Sequence, residues 1–491
     1  MKNIIIIDTE SAYVNTISNM DDISVELMVV DHPRYIEGCE ALAKGKIKNY
    51  FCRVYTYDDE FYDVTKCNYN LTLSDIEKYR NTQYKVERYL ARASSDISLM
   101  QSQYYIALAY VINFFNTHKI DFVFHAYLEH GGTWDTLIMD VARSRNIPVY
   151  VSNISSSTLE TTICTLNKCT NDKTFFMDLS DLHFSWSMDE YYGGLKSYTD
   201  SLFASKFKKF EDNYKDLKDK ITYLKQQIYE TFFSFDKEYR KKSQRFIYTG
   251  IFYKREELVK KIYIKNLEKY YRELSVTPDL SQNYIYYPLH QEPEASIMTR
   301  TPLNSQFYII YELAQKLPKG WKVLVKEHPA QFTVYKEYKY YYRNIEFFRS
   351  FEMYKRLYNL DNVELVKLES SSSELIKNSR AVASIAGSSL LEAVNLDKPI
   401  IIFGKNCSFI EKLKDAFNIN SLYDIVVALS KIENGFIPNY LDFTDVLNRY
   451  AFFTDFYTKE FYCKEKEIFK KIMKKCMDDC TSQSKEKEFK Q

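Results

Sequence analysis

The residues Gly387-Ser388-Ser389 have the types and the position of an anion-binding loop. They lie between a strand predicted over residues 381–385 and a helix predicted to start directly after them. Backbone N–H groups and the helix dipole favour an anion at such a loop, and both hydroxyls add donors to a phosphate. Glu392, one turn into the helix, can accept hydrogen bonds from a ribose. N-capping by a serine and a surface glutamate are the competing interpretations.

A lysine and a histidine follow a second predicted strand of the same sheet. The segment Lys326-Glu-His328-Pro comes directly after a strand predicted over residues 322–325. The lysine supplies a point charge, and the histidine can donate a hydrogen bond or a proton to a departing phosphate. A histidine before proline is more often a packed loop residue, but the serine loop beside it favours a phosphate held from both sides.

A third polar loop follows the first strand of this sheet, predicted over residues 284–287. We predict that four of its side chains contact the sugar or the base of a bound donor. An ordinary solvated loop is the alternative for each of them. The four candidates are His290, Gln291, Glu292 and Glu294.

The N-terminal half has one polar loop that carries candidate catalytic groups. Glu129 and His130 lie between a strand predicted over residues 121–124 and a helix predicted over 134–145, and Asp135 is at the start of that helix. A carboxylate there can deprotonate an incoming hydroxyl or attack an anomeric carbon, and His130 is predicted to contact substrate. The alternative for Asp135 is support of the helix start.

No metal site is predicted. His32, His118, His125 and His183 lack partners at metal-ligand spacing and are interpreted as structural. The odd count of 9 cysteines, without CxxC spacing, favours free thiols in a reducing cytoplasm.

Apolar runs that alternate with helical patterns predict an α/β protein with two doubly wound parallel sheets. The stretch between them changes to long charged helices, which indicates a helical insertion or connector. The predicted units are an N-terminal Rossmann-like acceptor domain over 1–179, a helical connector over 180–280, a nucleotide-binding Rossmann-like domain over 281–430, and C-terminal helices with a mobile tail over 431–491.

Composition excludes several classes of protein. The 67 basic and 66 acidic residues give a net charge of +1, so no global field attracts nucleic acid. Neither a P-loop nor a GxGxxG motif is present, and the whole chain contains only 11 glycines. No run reaches the roughly 18 apolar residues that cross a membrane, and no signal peptide is recognised. We expect a cytoplasmic protein.

Several segments between residues 284 and 404 resemble the bacterial capsule polysaccharide biosynthesis proteins, a group that includes Kdo transferases. Two α/β domains with a nucleotide-like crevice in the second also resemble the GT-B glycosyltransferase architecture. The segments that carry the resemblance are 287–296, 317–321, 325–329, 349–366, 383–393 and 398–404.

The resemblance implies a donor of the CMP-activated acidic-sugar type and a role for each motif around it. The usual threonine of the glycine loop is Ser388 here, which keeps the hydroxyl. The loop 128–132 matches less well, so the catalytic carboxylate stays open between Glu129 and Asp135. The residues implied around the donor are His328 with Ser388 or Ser389 at the phosphate, His290 and Glu292 near the donor, and Glu392 near the ribose.

The leading hypothesis is a glycosyltransferase of bacterial surface polysaccharide synthesis, with a CMP-linked 2-keto acid sugar as preferred co-substrate and a glycan or glycolipid acceptor. It needs no metal and no further cofactor. Transfer from a UDP- or GDP-sugar, transfer of a phosphoryl group from a CDP donor, a non-catalytic nucleotide-binding partner and a sugar-nucleotide epimerase remain as alternatives. The C-terminal tail is a candidate for peripheral contact with the inner membrane.

Overall fold

A computed structural model describes most of the chain. The residues that it does not describe are 8–15, 18–19, 31–39, 53–68, 92–96, 126–132, 158–161, 171–172, 183–249, 294–296, 298–302, 304, 333–343, 455–460 and 489–491. The predicted site residues Glu129, His130 and Glu294 lie outside the described residues, as does most of the predicted helical connector.

The described residues contain fourteen β-strands. In chain order they are β1 (Lys2–Ile7), β2 (Ile23–Val30), β3 (Tyr50–Cys52), β4 (Phe122–His125), β5 (Val149–Ser157), β6 (Thr162–Thr170), β7 (Lys173–Phe176), β8 (Tyr284–Pro288), β9 (Lys322–Lys326), β10 (Val363–Val366), β11 (Ala381–Ser384), β12 (Ile400–Ile402), β13 (Phe417–Asn418) and β14 (Ala451–Thr454).

Thirteen α-helices and two 3₁₀ helices, Ile345–Phe347 and Phe409–Lys412, connect these strands within the described ranges. The α-helices are α1 (Glu40–Ala43), α2 (Leu73–Lys78), α3 (Arg80–Leu90), α4 (Ile97–Thr117), α5 (Thr133–Ser144), α6 (Gly250–Leu274), α7 (Gln306–Lys316), α8 (Phe351–Tyr358), α9 (Ser372–Asn378), α10 (Ser388–Asn395), α11 (Leu422–Glu433), α12 (Phe443–Tyr450) and α13 (Phe461–Glu488).

The predicted fold class is confirmed: the chain is α/β with two separate sheets. The C-terminal sheet has the order β10-β9-β8-β11-β12-β13, and all its pairs are parallel. Its central strands are β-branched or aromatic and buried on both faces, as expected for a parallel sheet covered by helices. The chain winds to one side from β8 through β9 to β10, and to the other side from β11.

The N-terminal sheet has the order β14-β6-β5-β4-β1-β2-β3, with β7 paired to β6. Strands β1 to β5 are parallel, as predicted, whereas β6, β7 and β14 extend the sheet antiparallel. The antiparallel extension was not predicted. Only residues 158–161 separate β5 from β6, and a parallel return needs a connection of about a dozen residues or more.

The end of the chain belongs to the N-terminal sheet, although the sequence predicted a separate group of C-terminal helices with a mobile tail. Strand β14 pairs with β6, and α13 covers one face of the sheet. Tyr150 in β5 donates a hydrogen bond of 2.6 Å to Asp479 Oδ2 of α13, and Lys168 forms an ion pair with the same carboxylate. Helices α3, α4 and α5 cover the opposite face.

The two sheets also contact each other. The loop after β12 offers the Asn406 carbonyl to the side-chain amide of Asn167 in β6, at 2.9 Å. Ile163 of β6 is part of the apolar core around the C-terminal sheet. Among the described helices, none combines the length and the apolar character required to span a bilayer.

The packing of α13 predicts a large cost for truncating its buried side chains. Met473 is fully buried against the N-terminal sheet, whereas Lys474 beside it is exposed. Met473→Ala should lower the free energy of unfolding by about 2–5 kcal/mol through lost contacts and a cavity. Lys474→Ala is the matched control and should change it by less than about 0.5 kcal/mol. Urea unfolding measures both values, and equal values would show that α13 is not docked.

Candidate functional site

The candidate site lies where the winding of the C-terminal sheet reverses. Strand β8 pairs with β9 on one side and with β11 on the other, so the loops after these three strands emerge at one edge. In open parallel sheets, ligands bind in the crevice at such a switch point. The three loops are the three that the sequence predicted to carry the donor site.

His290 joins the loop after β8 to the loop after β11. Its Nε2 lies 3.1 Å from Ser384 Oγ and accepts a hydrogen bond of 3.3 Å from the Ala386 N–H. A Cβ placed on Gly387 would lie only 3.1 Å from the Cε1 atom of this ring. The imidazole therefore supports the backbone of the glycine loop directly, and Gly387 leaves the space that it needs.

The glycine loop opens α10 in the manner of an anion site. Gly387 is the N-cap residue, with φ +107° and ψ 169°, a backbone conformation that is essentially restricted to glycine. No side chain caps this helix start, so the serine N-cap offered by the sequence as an alternative is not formed. Ser388 and Ser389 occupy the first turn and are half-buried. The first N–H groups of the helix are thus directed at the crevice.

His328 is half-buried in the loop after β9. Its backbone N–H donates to Glu327 Oε1 at 2.8 Å, and its Nδ1 accepts the Ala330 N–H at 3.1 Å. In the neutral ring, this contact places the proton on Nε2. The ring is therefore held in the tautomer that can donate from Nε2.

Lys326 is buried and has specific partners. Its Nζ donates to the Ser370 carbonyl at 2.6 Å and to Ser372 Oγ at 3.0 Å. The ammonium thus joins the end of β9 to the start of α9. Its predicted contact with a phosphate stays a prediction.

Glu392 is also buried, on α10 behind the glycine loop. Burial raises the pKa of Tyr286 in β8; its hydrogen bond with Ser372 opposes that effect, and the nearby charge of Glu392 adds to it. The carboxylate therefore lies near the hydroxyl of Tyr286. Its predicted ribose contact is untested.

The loop after β8 places the carboxylate of Glu292 in the protein interior. Glu292 is buried; its backbone N–H donates to Gln331 Oε1 at 2.8 Å, and its Oε2 accepts from Gln306 Nε2 at 2.8 Å. Gln291 Nε2 donates to the Ala330 carbonyl at 3.4 Å. These contacts join the loops after β8 and β9, and they leave the predicted sugar contacts of both residues as predictions.

Arg349 is the central residue of this arrangement, and the sequence analysis did not single it out. Its guanidinium is completely buried, forms an ion pair with Glu292, and donates from Nε to Glu327 Oε2 at 2.8 Å. Nη2 donates to the His290 carbonyl at 2.8 Å. Burial alone would lower the pKa of Arg349, but the charges of Glu327 and Glu292 overcome that effect and raise it.

The N-terminal sheet has a buried pair at the corresponding place. The order of strands reverses between β1 and β4, and His125 ends β4. Its Nε2 lies 3.5 Å from Oδ2 of Asp135 in the first turn of α5, and both side chains are fully buried. From the sequence, Asp135 was a candidate catalytic carboxylate and His125 was interpreted as structural, so their pairing was not predicted. The available signal was a histidine at the end of a strand with an acid at the start of the next helix.

No group of three or more metal-ligating side chains was found among the described residues.

Comparisons with known proteins were made by sequence and by structure. No family model matches the chain, and no curated protein matches it significantly in sequence. Solved structures similar to it include a UDP-GlcNAc 2-epimerase from Methanocaldococcus jannaschii, at 11% identity over 88% of this chain and 93% of that chain, with a TM-score of 0.24.

Two transferases are also similar in structure. The beta Kdo 2,7 transferase KpsC from Thermosulfurimonas dismutans is 18% identical over 39% of this chain and 58% of that chain, with a TM-score of 0.22. The calicheamicin glycosyltransferase CalG4 is 11% identical over 91% of this chain and 92% of that chain, with a TM-score of 0.21. Similarity at these values assigns no activity.

The contact between Gly387 and His290 predicts the effect of adding a single methyl group. Gly387→Ala combines backbone strain with a close contact to the His290 ring, whereas Gly435→Ala adds strain at φ +83° in open space. We expect Gly435→Ala to lower the free energy of unfolding by about 1 kcal/mol. Gly387→Ala should cost about 1–3 kcal/mol more. Equal costs in urea unfolding would contradict the close contact.

The hydroxyl of Tyr354 donates a hydrogen bond of 2.5 Å to Glu327 Oε2. Burial and then the charge of Glu327 raise the pKa of Tyr354 well above its ordinary value, against an opposing effect of Arg349. Above about pH 10 the unfolded chain loses this proton while the folded chain keeps it, so stability falls by about 1.4 kcal/mol per pH unit.

Tyr354→Phe removes that contribution together with the hydrogen bond. It should be less stable than the wild type by about 1–3 kcal/mol at pH 8, and the gap should shrink as the pH rises above 10. Tyr358→Phe, an exposed position on the same helix, is the control and should show no such trend. Urea unfolding between pH 8 and 11 tests this, and a constant gap for Tyr354→Phe would contradict it.

Proposed function

We propose that the chain is a sugar-nucleotide-dependent glycosyltransferase that binds its donor at the switch point of the C-terminal sheet. One observation carries the proposal: His290 and His328 lie on the loops beside an uncapped helix start at Gly387. A phosphate diester or diphosphate is the ligand chemistry that fits N–H groups, hydroxyls and imidazoles at one edge. The two-sheet arrangement supports a GT-B plan, with the acceptor bound by the N-terminal sheet.

In this proposal the helix start of α10 and the hydroxyls of Ser388 and Ser389 bind the donor phosphate. An acceptor hydroxyl attacks the anomeric carbon, and the bond from that carbon to the phosphate oxygen breaks. The departing phosphate gains negative charge, and His328 stabilises it by donating a hydrogen bond or a proton from Nε2. A carboxylate of the N-terminal half, Asp135 or Glu129, accepts the proton of the hydroxyl.

The preferred donor is a CMP-linked 2-keto acid sugar, such as Kdo or a sialic-acid-like sugar, used in capsular or lipopolysaccharide synthesis. The motifs between residues 284 and 404 support this choice, because they resemble those of the capsule polysaccharide biosynthesis proteins. We further propose a cytoplasmic protein that acts on a glycan or glycolipid acceptor, with peripheral contact at the inner membrane.

Binding of nucleotides tests the donor. Thermal unfolding of the full chain with CMP, CDP, UDP and GDP should show a raised midpoint with CMP, since a ligand that binds the folded state stabilises it by mass action. A rise with UDP or GDP alone would keep the transferase and reject the acidic-sugar donor. A rise with CDP alone would favour transfer of a phosphoryl group. No rise with any nucleotide would contradict the donor site.

Turnover tests the role of His328. His328→Ala should lower kcat for sugar transfer by about 10²–10⁴-fold, the usual contribution of a general acid. His118→Ala is the control, because that ring stacks on Phe114 at the end of α4 and should leave kcat within about twofold. Donor binding without turnover in the wild type would favour a non-catalytic partner. Conversion of the donor sugar without an acceptor would favour an epimerase.

A further inference from the structure

We propose that Arg349 is a positioning residue that fixes both imidazoles of the donor site through one guanidinium. The inference rests on the proposed function and adds to it a residue that touches neither phosphate nor sugar. Arg349 lies directly before α8, outside the three loops of the site, and is completely buried.

Each imidazole is connected to Arg349 by a short path. On one side, Nη2 donates to the carbonyl of His290 itself, at 2.8 Å. On the other side, Nε donates to Oε2 of Glu327, whose Oε1 accepts the backbone N–H of His328 at 2.8 Å. One planar group therefore fixes the backbone of both histidines, on loops that follow two neighbouring strands.

The three nitrogens of the Arg349 guanidinium donate to different acceptors, so the side chain has little freedom to reorient. Nη1 pairs with Glu292 and also donates to the Phe348 carbonyl at 3.0 Å. The guanidinium lies 5.6 Å from the ring centroid of Phe307. A lysine carries the same charge, but its ammonium group cannot donate in the three fixed directions of the planar guanidinium. The geometry, and not the charge alone, is what the loops require.

The charges in the buried cluster of Arg349, Glu292 and Glu327 also support a positioning role. One guanidinium faces two buried carboxylates, and each carboxylate also accepts from a neutral donor, Gln306 for Glu292 and Tyr354 for Glu327. Such a buried cluster is an inefficient way to gain stability, because apolar side chains of similar volume are often as stable. Its specific consequence is that the loops after β8 and β9 adopt one relative position.

The first test compares two Arg→Lys changes seven residues apart. Arg349→Lys should lower kcat at least tenfold, while the rise in thermal midpoint with nucleotide persists, because α10 and its serines lie outside the cluster. Arg356→Lys, at an exposed pair with Glu352 on α8, should leave kcat within twofold. Full kcat in a folded Arg349→Lys protein would overturn the proposal.

A second variant separates positioning from stability. Arg349→Met with Glu292→Gln and Glu327→Gln removes all three charges together, so that no buried charge is left uncompensated. We expect the melting temperature to approach that of the wild type while kcat remains at least tenfold lower. Recovery of both stability and kcat would show that the cluster is structural only, and would overturn the proposal.

A third readout does not depend on turnover. The full chain has 7 histidines, so NMR of the protein labelled in histidine gives few ring signals, assigned by single His→Gln changes. Arg349→Lys should shift the signals of His290 and His328 and leave that of His118 in place. Unchanged signals would overturn the positioning role. If the wild type transfers no sugar from any donor, the proposed function fails, while this measurement still decides whether Arg349 positions the rings.

Discussion

The burial of a single positive charge is the constraint on which the C-terminal edge depends. Arg349 is excluded from water, and its guanidinium is the shared cationic partner of two buried carboxylates, Glu292 and Glu327. Removing the guanidinium would leave two buried carboxylates without a cation, and breaking a buried ion pair in this way costs about 3–5 kcal/mol. The two acids lie on loops after different strands, so the loops must take their positions together. Each loop carries one histidine, so fixing the two loops also fixes the distance between the two imidazoles.

The glycine loop completes the edge from the other side of β8. His290 contacts its backbone, while the carbonyl of the same residue contacts Arg349. The loops after β9, β8 and β11 are thus joined in sequence by short polar contacts. The N-terminal sheet places its own buried polar pair, His125 and Asp135, where its strand order reverses. Each sheet therefore holds titratable groups at its switch point, and in both sheets at least part of the set is buried.

The sequence predicted the parallel strands and the loops after them well, because β-branched runs that end in polar residues have few other structures. The role of Arg349 could not be predicted from the sequence. Its partner Glu292 lies 57 residues away, and ion pairs at that separation leave no local sequence pattern. Helix α13 was predicted only as part of a separate group of C-terminal helices with a mobile tail, without a contact to the N-terminal sheet. Its buried stripe Ile468, Phe469, Ile472, Met473 and Cys476 has helical spacing, but the charged residues between them obscured it.

The return of the chain end to the N-terminal sheet has a consequence for synthesis on the ribosome. Strands β1 to β7 are made before the C-terminal sheet, yet the helix that covers the face containing Ile4, Ile6 and Val25 is made after it. Strand β14, at one edge of the sheet, also comes after the whole C-terminal sheet. All strands of the C-terminal sheet are therefore present in the growing chain before α13 can cover this face of the N-terminal sheet. In the growing chain, this face of the early strands therefore stays uncovered while the C-terminal sheet is made, and exposed apolar strands of this kind are prone to aggregation.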